Sequence, residues 1–259
     1  MLEVWQRADA LEVFESGWTF DHLYPLAGDD RDDCMEGWIT LTALLQATRR
    51  LRGGVLVTGM AYRHPGVLAS MASTLDQVSG GRLELGVGAG WNEVEFDAYG
   101  IPLGSMAERF DRFEEGLEVL HRLLTLDRTT FDGRHYVLRD AYNNPKPVQS
   151  PLPICIGGRG KRRTIPLVAR YAHHWNYTGE SVEEFGDLRA TLAEAASERG
   201  RRIDDIRCSV LLRWNTDDGL LRDIDAYEAA GVELVMVSLP KQRPASCVEE
   251  LAVLLQRHR

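Results

Sequence analysis

RLELGVGAGWNEVEFDAY, residues 82 to 99, runs from a buried strand through a turn into a polar, carboxylate-rich segment. Leu83 to Val87 reads as the strand. Gly86, Gly88 and Gly90 put three glycines in five residues, where the backbone approaches another group closely or takes positive φ. Trp91 and Asn92 follow, at the point where a strand-to-helix loop exposes its side chains. This is a ligand-binding arrangement on an α/β scaffold, and glycines that merely permit tight barrel packing are the plainer alternative. A dinucleotide fingerprint is excluded. Counted from Gly86 the third glycine of G-x-G-x-x-G falls on Trp91, and counted from Gly88 it falls on Glu93.

Outward from this stretch the pattern alternates between helical and strand periods. Residues 2 to 15 place Val4, Ala8, Leu11 and Phe14 on one helical face. A short strand at 18 to 20 then delivers Asp21 and His22 to a loop, with a polar segment at 27 to 33 and a helix at 36 to 50. Val55 to Thr58 reads as a strand, and 66 to 78 as a helix. Beyond the opening stretch, Ser105 and Glu108 form a capping box ahead of a helix to Thr125 that carries Met106, Phe110, Phe113, Leu117, Leu120 and Leu124. Asp132-Gly133 between two short β-like runs signals a hairpin. Strands at 154 to 156, 173 to 177, 206 to 214 and 232 to 238 alternate with helices at 161 to 172, 181 to 199, 219 to 230 and 244 to 257. Strands each followed by a helix predict a TIM (β/α)8 barrel, with a doubly wound sheet as the runner-up.

Composition narrows the function. At 259 residues and 44% hydrophobic, the chain can bury a large core, and it reads as a single domain, 1 to 259. A net charge of -9 argues against nucleic-acid binding. No long apolar run or signal peptide is present, which points to a cytoplasmic protein without a membrane span. Cys34, Cys155, Cys208 and Cys247 lack metal-ligand spacing, so no metal is expected, and three of them read as small buried hydrophobes.

Ligand chemistry in such a barrel collects where strands end. Asp21-His22 offers an acid/base imidazole that an adjacent carboxylate could orient, or else a hydrogen-bonded structural histidine. Trp91 and Asn92 offer a flat face and an amide suited to a planar ring, although tryptophans also simply pack. GGRGKRRT, Gly157 to Thr164, fails as a P-loop, yet its glycines and basic residues ahead of a helix make an anion nest, or else a solvated basic turn.

VLVTGMAYRHPGVLASMASTLD (55 to 76), DQVSGGRLELGVGAGWNEVEFDAYGIP (76 to 102), FDGRHYVLRDAYNNPKPVQSPLPICIGGRGKRRT (131 to 164) and HWNYTG (174 to 179) resemble the bacterial luciferase-like monooxygenase superfamily, in its coenzyme F420-dependent oxidoreductase branch. The resemblance runs from residue 3 to about 180. It implies a TIM barrel with an insertion at about 126 to 151, coenzyme F420 or alternatively FMN as cofactor, a small-molecule substrate, and a homodimer. By that likeness His22 is the proton donor or acceptor, with Asp21 and Glu36 beside the pocket. Leu56, Val57 and Thr58 match a bulged strand, often with a non-prolyl cis peptide, behind the cofactor ring. Gly88, Ala89, Gly90, Trp91 and Asn92 line the cofactor, and Gly157, Gly158, Arg159 and Gly160 hold its phosphate. An FMN enzyme would be a monooxygenase supplied by a flavin reductase, and a non-catalytic flavin-binding barrel is a further alternative. Two departures stand out. Family members begin with a β-strand, whereas this chain starts inside the following helix, so a missing first strand and low stability, or compensation by a dimer, are expected. Sugar-phosphate dehydrogenases of the family carry an acid about where Trp91 stands, so that activity is not expected.

Overall fold

A computed structural model describes residues 1–26, 28–29, 31–240 and 243–258, so Ala27 and Asp30 of the expected polar segment lie outside the described residues. In chain order the elements are α1 (Leu2–Asp9), β1 (Ser16–Thr19), α2 (Gly37–Gln46), β2 (Arg52–Val55), β3 (Thr58–Gly59), a 3-10 turn (Met60–Tyr62), α3 (Pro65–Ser79), β4 (Leu83–Gly88), α4 (Glu93–Ala98) and α5 (Met106–Thr125). There follow β5 (Thr129–Asp132), β6 (Val137–Ala141), β7 (Ile154–Gly157), α6 (Thr164–Tyr171), β8 (His174–Tyr177) and α7 (Val182–Ser197). A second 3-10 turn (Ile203–Asp205), β9 (Arg207–Arg213), α8 (Asp217–Ala229), β10 (Leu234–Ser238) and α9 (Cys247–His258) complete the chain.

These elements group into two compact units. One, the Trp18 unit, comprises Trp18–Gln46 and Arg52–Ile154; the other, the Cys155 unit, comprises Met1–Gly17, Ala47–Leu51 and Cys155–Arg259. In the Trp18 unit β4 is buried along its whole length, as a strand covered on both faces must be. Its one charged residue, Glu84, is paired with Arg52 at 3.0 Å. Parallel partners lie alongside, with Gly53 opposite Leu83 and Thr58 opposite Val87. The α5 capping box forms, and Phe113, Leu117, Leu120 and Leu124 are buried as the periodicity predicts, while Met106 is exposed. Strands β5 and β6 pair antiparallel, which is the hairpin expected within the insertion. In the Cys155 unit β7, β8, β9 and β10 are successive parallel neighbours. Trp175 stacks on Phe185 at 5.4 Å, with Tyr177 and Tyr227 completing an aromatic core. Cys155, Cys208 and Cys247 are buried and form no disulfide, which fits the small buried hydrophobes read from the sequence.

Several boundaries differ from the periodicity reading for physical reasons. The Asp9 carboxylate accepts the backbone N–H groups of Arg49, Arg50 and Leu51, each at 2.8 Å. The Arg50 guanidinium in turn donates to the carbonyls of Ala8, Asp9 and Leu11, which satisfies the end of α1 at Asp9 rather than residue 15, while Asp9 takes from α2 donors it would need to continue past Gln46. The expected strand at 55 to 58 is divided into β2 and β3 around a cis Leu56–Val57 peptide, the feature the resemblance implied. Helix α6 starts at Thr164, three residues late, because residues 161 to 163 form a turn that the Ile165 N–H closes onto the Gly160 carbonyl at 3.0 Å. Parallel strands alternating with helices are the pattern of the TIM (β/α)8 class, with α1 ahead of β1.

Candidate functional site

Three segments of the Trp18 unit meet at Glu95: residues 21 to 24 after β1, the 3-10 turn after β3, and α4 after β4. Glu95 is fully buried. Its Oε2 accepts the Leu23 N–H at 2.8 Å and the Tyr24 N–H at 3.3 Å. Its Oε1 accepts the Tyr62 hydroxyl and lies 2.6 Å from His22 Nδ1. Burial by itself would raise this carboxyl's pKa; the hydrogen bonds from Tyr62, the Leu23 backbone and His22 outweigh it and hold the group below the ordinary glutamate range. The Tyr62 phenol is driven the other way, first by burial and then by Glu95. Its ring stacks on Phe96 at 4.4 Å, so packing and hydrogen bonding fix the same side chain.

Asp21, 4% exposed, is not the carboxylate that meets the His22 ring. It takes a two-pronged ion pair from Arg63, at 2.6 and 3.0 Å. Arg63 also lies 3.6 Å from Glu36, whose other oxygen accepts the Ile39 N–H at 2.7 Å at the start of α2. Asp21, His22 and Glu36 are thus brought into one neighbourhood, but through Arg63 and Glu95, neither of which the sequence reading singled out. Glu95 was in view within the opening stretch. Its signal was the burial of a charged residue next to Phe96, which periodicity alone does not reveal.

The glycine turn divides in purpose. A Cβ at Gly86 would lie 1.9 Å from the Val55 carbonyl, so that glycine permits strand packing. Gly90 takes φ +85° and forms the turn, with its carbonyl accepting from buried Arg109 at 3.1 Å. Trp91, 62% exposed, stands edge-on to His22 at 5.4 Å. Asn92 precedes α4 without using its side chain as a cap, which leaves the amide for another partner. Beside the cis peptide, the Thr58 hydroxyl accepts Trp38 Nε1–H at 3.0 Å and is buried.

In the Cys155 unit Gly158 takes φ +138°. A Cβ at Gly160 would meet the Thr164 hydroxyl at 2.9 Å. No side chain caps α6, while Lys161 and Arg162 are exposed. Arg159 pairs with Glu184 at 3.1 Å, and Glu184 also accepts the Tyr177 hydroxyl at 2.5 Å. His174 is buried with its Nε2 2.6 Å from the Ser209 hydroxyl. Among the described residues no cluster of His, Cys, Asp and Glu could hold a metal ion, and no helix is long and apolar enough to cross a membrane.

A family profile described as luciferase-like monooxygenase matches residues 2–220. The F420-dependent glucose-6-phosphate dehydrogenase of Intrasporangium calvum is 33% identical over 190 residues, 69% of this chain and 55% of that protein. The FMNH(2)-dependent dimethylsulfone monooxygenase of Pseudomonas putida is 32% identical over 171 residues, 64% of this chain and 47% of that protein. The chain spans about half the length of the curated relatives it matches. Among solved structures, an F420-dependent secondary alcohol dehydrogenase bound to an F420-acetone adduct aligns with a TM-score of 0.89 at 19% identity, covering 100% of this chain and 94% of that one. That likeness establishes the fold.

Proposed function

The chain belongs to the luciferase-like monooxygenase family, and we propose that it is an oxidoreductase moving a hydride between coenzyme F420 and a small organic substrate. The observation that carries this reading is His22, an imidazole with 12% of its side chain open, beside exposed Trp91 and backed by a buried carboxylate. Such a group can hold or release the proton that accompanies hydride transfer. The bound deazaflavin would supply the hydride-accepting ring.

The residues present suit that cofactor. Trp91 gives a flat apolar face and Asn92 an uncommitted amide, and we assign Leu56, Val57, Thr58, Gly88, Ala89 and Gly90 to the same ring-binding role. In the Cys155 unit, Gly157, Gly158, Arg159 and Gly160 are assigned to phosphate binding, supported by the uncapped start of α6 and exposed Lys161 and Arg162. That basic run favours coenzyme F420, whose anionic tail extends past its phosphate. Asp21 and Glu36 act through Arg63 as supports of the loop that carries His22. Among the described residues, Arg63 is engaged by Asp21 and Glu36, and Arg109 donates to the Gly90 carbonyl.

A second reading, an FMN-dependent monooxygenase fed by a flavin reductase, is favoured by the dimethylsulfone monooxygenase likeness. Titrating the purified protein with coenzyme F420 and with FMN, following fluorescence, separates the two. Tighter binding of F420 is expected, and tighter binding of FMN would reverse the assignment.

A further inference from the structure

We propose that Glu95 is a positioning residue that fixes the tautomer of His22, so that Nδ1 carries the ring proton and Nε2 is the atom that exchanges a proton with the ligand. This rests on the acid/base role given to His22 above, but it concerns a bond that exists in the protein alone.

The argument is one of donors and acceptors. Glu95 Oε2 is committed to two backbone N–H groups, of Leu23 and Tyr24, which can only donate. Oε1 takes the Tyr62 hydroxyl and faces His22 Nδ1 at 2.6 Å. An ionised carboxylate has no proton to give, so a neutral His22 meets it only with the proton on Nδ1, and Nε2 is then an acceptor. The hydrogen bonds that keep Glu95 ionised maintain this polarity. Other charges nearby do not compete for the ring. Asp21 is held by Arg63, which also faces Glu36, and Arg109 is turned to the Gly90 carbonyl and Glu93. The ring cannot easily tilt away, because Trp91 stands edge-on to it and Tyr62 is pinned on Phe96.

The same geometry specifies what a near-isosteric change does. In Glu95→Gln the two fixed backbone donors require the amide oxygen at the Oε2 position. The amide NH2 then sits where Oε1 was and donates to His22 Nδ1, while the Tyr62 hydroxyl turns to accept. His22 is forced into the opposite tautomer, with its proton on Nε2. A carboxamide thus keeps the shape and inverts the polarity of the imidazole.

The test is nitrogen-15 NMR of the histidine ring in the cofactor-free protein, with His22 assigned by comparison with His22→Ala. The wild-type protein is expected to show a protonated Nδ1 and an unprotonated Nε2, and Glu95→Gln the reverse. Tyr62→Phe, which leaves Glu95 in place, is expected to keep the wild-type tautomer. A wild-type ring protonated on Nε2 would overturn the proposal even if Glu95→Gln fails to fold, and so would an unchanged tautomer in a folded Glu95→Gln. With cofactor present, turnover of Glu95→Gln is expected to fall by about 10²- to 10⁴-fold, the range of a lost general acid or base, with cofactor affinity kept. Absence of turnover in the wild-type protein with either cofactor would remove the functional reading and leave the tautomer result standing.

Discussion

Each unit contains a tyrosine that donates to a glutamate, and the two pairs differ in what surrounds them. Tyr62 and Glu95, in the Trp18 unit, close on a histidine, and the carboxylate is wholly buried. Tyr177 and Glu184, in the Cys155 unit, close on Arg159, with 39% of the glutamate side chain open to water. The chemistry of the bond is the same. Burial decides how much depends on it, since a carboxylate shielded from solvent cannot replace a lost partner with water, whereas an open one can.

The largest expected difference lies in activity. His22→Ala is expected to lower turnover by about 10²- to 10⁴-fold at saturating cofactor while leaving cofactor affinity near wild type. Arg159→Ala should do the opposite, keeping turnover at saturation and weakening coenzyme F420 binding by about tenfold or less, the equivalent of about 1.4 kcal/mol. Steady-state kinetics together with fluorescence titration read both. Equal loss of turnover in the two variants would erase the distinction between the pairs.

Stability should separate them next. Glu95→Ala strands the Tyr62 hydroxyl, the His22 ring nitrogen and the N–H groups of Leu23 and Tyr24, and is expected to cost about 3 kcal/mol. Glu184→Ala removes a carboxylate that is partly open to water and leaves the Tyr177 hydroxyl the Ser181 carbonyl as acceptor, so it is expected to cost about 1 kcal/mol or less. Urea midpoints with unchanged slopes would confirm that each change acts on the folded state. A cost for Glu184→Ala equal to that of Glu95→Ala would show that exposure does not set the difference.

This contrast also explains what could be read in advance. Helices such as α5 were legible because Phe113, Leu117 and Leu120 recur at the helical period, and β4 because an apolar run between glycines has few other uses. His22 was legible as a candidate from its residue type. Its partner was not. Asp21 is adjacent in the chain, but successive residues leaving a strand point different ways, and Asp21 goes to Arg63 while Glu95 arrives from a segment 73 residues further on. Long-range pairing of this kind leaves no periodicity. The early end of α1 has the same origin, because its last carbonyls are taken by the Arg50 guanidinium some 40 residues away. Gly86 and Gly90 look alike as letters, and only the closeness of the Val55 carbonyl and the positive φ of Gly90 show that one is for packing and the other for a turn.

The smallest effect expected is a difference in acid sensitivity. Glu95 titrates below its ordinary value in the folded protein because hydrogen bonds from Tyr62, Leu23 and His22 override the opposing effect of burial. Its unfolded value is near 4.3. Stabilisation from such a group is complete above the unfolded value and is lost as the pH falls through the lower folded value, because the unfolded chain binds the proton first. Urea midpoints of wild-type protein and Glu95→Gln, measured from pH 7 down to pH 3, should therefore converge on the acid side of about pH 4.3. Glu184 is also lowered, chiefly by Tyr177, but it is partly open to water, so Glu184→Gln should give a gap that is small throughout and sensitive to salt. If the gap for Glu95→Gln widened with acid, Glu95 would be a protonated donor at neutral pH. The polarity assigned to the His22 ring would then have to be reversed.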